Sequence, residues 1–269
     1  MNHPLDRNEM KTFMSANDGR FWFDVEFVYP DRSKLKQSVN FDFRLHDPQS
    51  VPENSNWIDI QYEHTDDNVL QPFITLNGGQ LWRATPRTNS KIVILKFGSV
   101  IVSIDIDSNG INYSFDESTT WFRYDLFKTK PTVLYIGRVP KTDLKAVVVT
   151  SEPGSKNLKF TTLDFSHIFK FQCEPKHYLQ WTFTRNGETC YRGKNISMLT
   201  RDPSIRCVDN IIEHMRADSF CPCTSDDYSC TFNYHSFDDV CILDPLSDTT
   251  EQPYDCGSGS HFDLHQMGY

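Results

Sequence analysis

At 269 residues, 38% hydrophobic and 13% aromatic with twenty Phe, the chain has ample material for a core, which excludes a disordered polypeptide. Its net charge of -9 is unevenly placed: residues 217–269 hold ten acids and no Lys or Arg, leaving 26 acids against 27 bases elsewhere. That distribution argues against nucleic acid or an anionic membrane as partner. The acidic stretch reads first as a solvated surface, and it mildly favours cationic partners.

The opening Met1-Asn2-His3-Pro4-Leu5-Asp6 has no apolar run and is not a signal peptide. An eight-residue pattern then occurs three times. Its first copy is Ser15-Ala16-Asn17-Asp18-Gly19-Arg20-Phe21-Trp22, and its second is Thr75-Leu76-Asn77-Gly78-Gly79-Gln80-Leu81-Trp82. The third is Ser114-Phe115-Asp116-Glu117-Ser118-Thr119-Thr120-Trp121. The shared order is hydroxyl, x, Asp or Asn, x, Gly or Ser, x, x, Trp, and its physics is that of a hairpin turn. The acceptor at the third position should bond backbone N–H groups two residues on, the small fifth residue permits a left-handed turn, and the hydroxyl secures the loop. Trp then opens the outgoing strand and covers the turn. The copies start 60 and 39 residues apart, a spacing that suits four-stranded propeller blades with an insertion in one of them.

Between the boxes the sequence predicts strands. Residues 23–28 and 40–45 alternate apolar with polar, and 91–97 and 99–104 are buried-strand runs around a Gly98 turn. Residues 57–62, 132–136, 145–149 and 158–163 continue the pattern, and 47–56 reads as a surface loop. No long amphipathic helix precedes Ser166. A domain boundary is therefore expected there, with a partial β-propeller over 1–165 and a cysteine-rich module over 166–269. About three blades cannot close a ring, which leads us to expect further chain upstream of Met1.

All eight cysteines fall from Cys173 onward, and such crowding points to disulfides and an oxidising compartment. Asn112-Tyr113-Ser114 and Asn195-Ile196-Ser197 fit the glycosylation acceptor pattern, which agrees with that compartment. The densest stretch is Cys221-Pro222-Cys223-Thr224-Ser225-Asp226-Asp227-Tyr228-Ser229-Cys230-Thr231-Phe232-Asn233-Tyr234.

Hairpin boxes of this kind resemble the Asp-boxes of sialidases and of the sortilin family of sorting receptors, and the cysteine stretch separates the two. Cys-x-Cys, an Asp-aromatic pair, Cys and a closing Phe-x-Tyr resemble the segment that follows the propeller in sortilin and in the yeast vacuolar protein-sorting receptor. The likeness runs from the first box to the C-terminal Tyr269. Two positions depart from the family pattern: Thr231 stands where Asp is usual, and Asn233 where Gly is usual. Asn is tolerant of a left-handed turn, so the second change preserves the backbone.

The resemblance implies an all-β chain: roughly the last three blades of a ten-bladed propeller, followed by a small disulfide-rich module. It also implies the pairs Cys173 with Cys207, Cys190 with Cys221, and Cys230 with Cys241. The same pattern gives Cys223 and Cys256 partners beyond Tyr269, so in this chain they are expected free or paired with each other. Such receptors are single-span membrane proteins that carry peptides, propeptides, neuropeptides or hydrolases between Golgi, endosome and cell surface. This chain would lie on the luminal or extracellular side. No run of about 18 apolar residues spans a bilayer here, so the transmembrane helix would lie outside the chain.

Other constellations are weaker. Residues 105–110, Asp-Ile-Asp-Ser-Asn-Gly, with Asp116 at the twelfth position, imitate a calcium loop but lack its closing Glu and flanking helices. An Asn109-Gly110 hairpin turn is the simpler reading. Cys221 and Cys223 are too close for a zinc pair, and His261 and His265 sit in a Gly-rich tail. A propeller glycosidase of sialidase type is the alternative function. It would need an arginine cluster and a nucleophilic Tyr; Arg83, Arg123 and Arg138 are available, but no arginine-centred motif surrounds them. No catalytic residue and no cofactor is expected.

Overall fold

The apolar and alternating runs of the sequence become strands in the computed structural model. It describes residues 2–6, 9–15, 22–29, 33, 39–47, 50–52, 55, 57–65, 69–104, 109–152, 157–182, 184, 188–191, 193–210, 215–222, 227, 230, 234–237 and 240–243. Apart from short 3-10 turns, the described elements are strands, arranged in several sheets that do not close into a barrel. This is the architecture of a partial propeller followed by a disulfide-rich module.

The chain divides into two compact units, the first formed by residues 1–14, 23–179 and 201–212 and the second by 15–22, 180–200 and 213–269. In the first, β1 (Asn2–Asp6), β2 (Glu9–Met14) and β3 (Phe23–Asp24) form an antiparallel sheet. The next sheet uses β4 (Glu26–Val28), β5 (Asp59–His64), β6 (Leu70–Thr75) and β7 (Leu81–Ala84), in the order β4-β7-β6-β5. Here β4 joins β7 in parallel, with Phe27 opposite Trp82. Four strands follow as an antiparallel meander, β8 (Val93–Leu95), β9 (Val100–Ile104), β10 (Gly110–Ser114) and β11 (Phe122–Asp125). A three-stranded meander comes next, β12 (Thr132–Arg138), β13 (Lys145–Ser151) and β14 (Leu158–Asp164).

The apolar runs are buried because their sheets stack. Val93, Val100 and Val102 of one meander join Ile136, Ala146 and Val148 of the next in a single cluster that also takes in Phe115, Phe165, Phe169 and Val208. A second cluster packs Phe27, Phe41, Phe73 and Trp82 with edge-on and tilted ring contacts, Phe41 and Trp82 lying 4.9 Å apart. Such pairs add to the gain from apolar burial, which is on the order of 25 cal/mol per Å².

Residues 40–45 correct the expectation of a strand. Val39 and Phe41 are buried, but Phe43, which would share their face in a strand, is exposed, because Phe43–Leu45 is a 3-10 turn. Asp42 diverts the backbone: its carboxylate accepts from the Arg44 N–H at 3.2 Å and from the Arg44 guanidinium at 2.7 Å. A local side-chain acceptor of this kind competes with a sheet ladder. Alternation thus placed Phe41 in the core but neither Phe43 nor the strand itself.

In the second unit, β16 (Cys190–Tyr191) and β18 (Met215–Phe220) both pair antiparallel with β17 (Lys194–Arg201), whose sheet also includes β15 (Tyr178–Thr182). A separate hairpin joins β19 (Tyr234–Phe237) to β20 (Val240–Leu243). No helix of the described residues is long and apolar enough to cross a membrane.

Candidate functional site

The second and third boxes fold into the same turn. Thr75 Oγ1 accepts from the Gly79 N–H at 3.0 Å, and Ser114 Oγ accepts from the Ser118 N–H at 3.0 Å. Each hydroxyl donates in turn to the third position, Thr75 to Asn77 Oδ1 at 3.0 Å and Ser114 to Asp116 Oδ1 at 2.9 Å. Those acceptors then take the backbone N–H four residues on, Leu81 at 3.1 Å and Thr120 at 2.8 Å. The reach is therefore four residues rather than the expected two, because two successive residues turn left-handed. These are Gly78 and Gly79 at φ 69° and 85°, and Glu117 and Ser118 at φ 56° and 69°. Trp82 lies buried in β7, whereas Trp121 precedes β11 and donates from Nε1 to Ser118 Oγ at 3.1 Å. Of the first box, Ser15 and Trp22 are described, and Trp22 is exposed; Asn17 and Gly19 lie outside the described residues.

The third box is also an anchorage for arginines. Arg83 Nη1 donates to the Glu117 carbonyl at 3.2 Å and to Thr119 Oγ1 at 3.0 Å, tying β7 to the neighbouring turn. Arg201, 2% exposed, donates from Nη2 to the Phe115 carbonyl at 2.7 Å and from Nη1 to the Ile205 carbonyl. Arg206 lies over the rings of Phe115 and Phe122 at 5.6 and 5.7 Å. Burial pushes the Glu117 carboxyl above the usual carboxylate range, against the pull of Arg201 and Arg83. Asp209, 1% exposed, accepts from the Tyr178 hydroxyl at 3.0 Å, and its N–H donates to Ser99 Oγ at 3.1 Å. These groups hold one another and the surrounding backbone in place.

Three disulfides are formed, Cys173–Cys207, Cys190–Cys221 and Cys230–Cys241. The first ties residues 173 and 207 inside the first unit, where Cys207 is fully buried. Cys190–Cys221 staples β16 to the end of β18, and Cys230–Cys241 reaches into β20. Cys223 and Cys256 lie outside the described residues.

Asn112 is half-buried in β10, between β9 and β11. Asn195 is half-buried in β17, its Nδ2 donating to Ser219 Oγ at 2.8 Å. β9 and β10 pair as a hairpin, Ile104 opposite Ile111, and residues 105–108 of the calcium-like loop lie outside the described residues, as do His261 and His265. Asp116 serves the third box. Among the described residues, no group of three or more His, Cys, Asp or Glu is placed to hold a metal ion. The residues that sequence reasoning missed are Arg201, Asp209 and Glu117, which come together from separate segments. The available signal was Arg201 closing the strand run Lys194–Arg201, where a charge follows Ile196, Met198 and Leu199.

Comparisons with known proteins agree in direction. The family model described as "Sortilin, neurotensin receptor 3, C-terminal" matches residues 138–269. The mouse VPS10 domain-containing receptor SorCS1 is 23% identical over 296 residues, covering 97% of this chain and 24% of its own. The vacuolar protein sorting/targeting protein 10 of Debaryomyces hansenii is 23% identical over 307 residues, covering 99% of this chain and 19% of its own. Its namesake in Talaromyces stipitatus is 29% identical over 194 residues, covering 64% of this chain and 12% of its own. The chain thus spans a quarter or less of the length of these relatives.

Proposed function

Starting from a chain that is a relative of the sortilin-type sorting receptors, we propose that it forms part of the luminal or extracellular ligand-binding region of such a receptor. The receptor carries peptides, propeptides or hydrolases between Golgi, endosome and cell surface. The observation that supports this most is the joint occurrence of Asp-box sheets and the cysteine module in one chain. Either alone is compatible with other functions: boxes occur in sialidases, and small disulfide modules are widespread outside cells. The chemistry is recognition and release, so arginines and carboxylates of the third box serve architecture rather than turnover.

Tagging the protein at its own locus tests the reading. Co-localisation with Golgi and endosomal markers, and capture of secretory proteins by luminal proximity labelling, are expected. A cytosolic distribution, or turnover of a fluorogenic sialoside by the purified protein, would overturn it. A related proposal concerns residues 217–269: if their ten acids capture basic propeptides, affinity falls as salt rises. An affinity that stays flat between low and physiological salt would remove that role.

A further inference from the structure

The sheet of β12, β13 and β14 stops one strand short of its neighbours. The two sheets before it have four strands and it has three, with β14 at its edge. The Phe165 N–H donates to the Leu144 carbonyl in register with the β13–β14 ladder, in which Lys145 faces Asp164 and Ala146 faces Leu163. Successive residues of a strand direct their backbone polar groups to opposite sides, so Leu163, Thr161 and Lys159 bond towards β13. Leu158, Phe160, Thr162 and Asp164 therefore point their N–H and C=O groups outward, where no strand pairs with them among the described residues.

The side chains at this edge do not protect it. β11, the edge strand of the preceding meander, carries Arg123 and Asp125, paired at 3.3 Å. β14 instead exposes Leu158 and Phe160, at 55% and 68%. Phe160 ends a row that crosses the sheet beside Val149 and then Tyr135, while Ala146, Val148 and Leu163 are buried on the opposite face. An apolar edge with unpaired backbone is a template for a further strand. The end of the sheet where Thr132, Ser151 and Leu158 lie side by side is also cationic. Lys159 is exposed there with its ammonium 6.0 Å over the Phe127 ring, Lys128 follows that Phe, and Lys130 precedes β12. None of these three lysines has an ion-pair partner among the described residues, and against them stands Glu152, which follows β13.

We propose that the free edge of β14 is a docking site for a partner polypeptide, which adds an extended segment as the fourth strand of this sheet. The segment's backbone takes the outward N–H and C=O groups of Phe160 and Thr162, and one of its apolar side chains packs beside Phe160 as a cross-strand neighbour. An acidic residue at the end that lies beside Leu158 meets the three lysines, which sets the partner's charge. Strand addition of this kind goes beyond the receptor reading, because it needs only the sheet edge and holds for any partner with such a segment.

The test uses the full 269-residue chain and fluorescence anisotropy of a fluorescein-labelled peptide of alternating Val and Thr with Glu at both ends. Binding is expected, weakened about tenfold by Thr162→Pro, which corresponds to about 1.4 kcal/mol. Pro removes an N–H that faces away from β13, so a strand edge tolerates it, and a thermal melt checks that the variant folds. Phe160→Thr keeps a residue that favours strands and all its backbone groups, and should weaken binding through lost packing alone. Tyr124→Thr removes an exposed ring from β11 and should leave binding unchanged. Two further peptides, N-methylated at alternate residues in opposite phases, separate strand pairing from apolar adhesion. One phase blocks the peptide edge that meets β14 and should abolish binding; the other lies on the solvent side and should bind like the parent. Equal binding of the two phases, equal effects of Phe160→Thr and Tyr124→Thr, or no binding would overturn the proposal. So would a peptide with Lys in place of Glu that bound as tightly. A dimer in sedimentation velocity that Thr162→Pro dissolves would make a second copy the occupant and overturn it as well. Failure of the receptor reading is seen separately, as loss of Golgi and endosomal localisation of the whole protein.

Discussion

Arg201 Nη2 donates to the carbonyl oxygen of Phe115 at 2.7 Å, joining residues 86 apart in the chain. Burial works against the charged guanidinium; the Ile205 carbonyl takes the other terminal nitrogen and the charges of Glu117 and Asp209 favour the cation, while Nε has no hydrogen-bond partner among the described residues. Arg206 lies over the Phe115 ring, so one box turn receives two arginines from one short segment. The segment that begins at Arg201 is thereby part of the packing of the third box.

Removing that guanidinium should be costly. Arg201→Met leaves the Phe115 and Ile205 carbonyls without their donor and the nearby carboxylates without their counter-charge, a change of about 3 to 5 kcal/mol. Arg201→Lys keeps the charge without the fork and should cost less, about 1 to 3 kcal/mol. Urea denaturation of the three proteins checks the order. A loss below about 1 kcal/mol for Met would mean that water replaces the guanidinium.

The contrast between the boxes and Arg201 shows what was legible in the sequence. A box is local: its hydroxyl, acceptor and small residue bond backbone within four residues, so spacing alone announces it. Strands such as Lys145–Ser151 were legible for the same reason, through apolar runs that end in a sheet. The Arg201–Phe115 contact depends on how distant segments pack, and no periodicity encodes it. Residues 40–45 are the intermediate case, where alternation gave the burial of Phe41 but not the exposure of Phe43, because Asp42 and Arg44 chose a turn over a strand.

The boxes themselves predict a substitution pattern. Asn77 and Asp116 hold equivalent places, each taking a hydroxyl and an N–H four residues on through one oxygen. Asp116→Asn should therefore change stability by less than about 0.5 kcal/mol, whereas Asp116→Ala should cost about 1 to 2 kcal/mol. Thermal melts of the two variants separate an acceptor requirement from a charge requirement; equal losses would show that the charge matters.

Glu117 gives a pH dependence with a definite sign. Its carboxyl is held above the usual carboxylate range by burial, so the folded chain binds its proton more tightly than the unfolded chain. The associated stability is fully present below the unfolded value and is lost as pH rises through the folded value. Glu117→Gln should then raise the melting temperature at pH 7 and leave it unchanged near pH 3. A variant less stable than the parent at pH 7 would show that the Arg201 and Arg83 charges outweigh burial.

Tyr62 is fully buried, and its hydroxyl oxygen accepts from the Ile92 N–H at 3.0 Å. Burial holds the phenol well above its usual value, with the Ile92 bond opposing. Tyr62→Phe leaves that N–H without an acceptor inside the core, at about 1 to 3 kcal/mol. Denaturant titration measures the loss. In the parent, the phenolate absorbance of Tyr62 should appear only as alkali unfolds the chain.

The disulfides should differ in kind although two of them close loops of nearly equal length. Cys173–Cys207 and Cys190–Cys221 span 34 and 31 residues, so chain entropy alone gives both about 4 kcal/mol, against about 3 kcal/mol for the 11-residue Cys230–Cys241 loop. Their surroundings differ. Cys173 and Cys207 are buried, Cys207 completely, while Cys190 and Cys221 are partly exposed beside strand ends. Replacing both cysteines by Ser should therefore cost more at the first pair, where buried hydroxyls also replace apolar sulfur. A thiol reductant should open Cys190–Cys221 sooner, because exchange requires access to a sulfur. Timed alkylation and peptide mapping of the reduced chain decide this. If Cys173–Cys207 opened first, burial would not be the barrier, and local unfolding of residues 166–179 would have to precede attack.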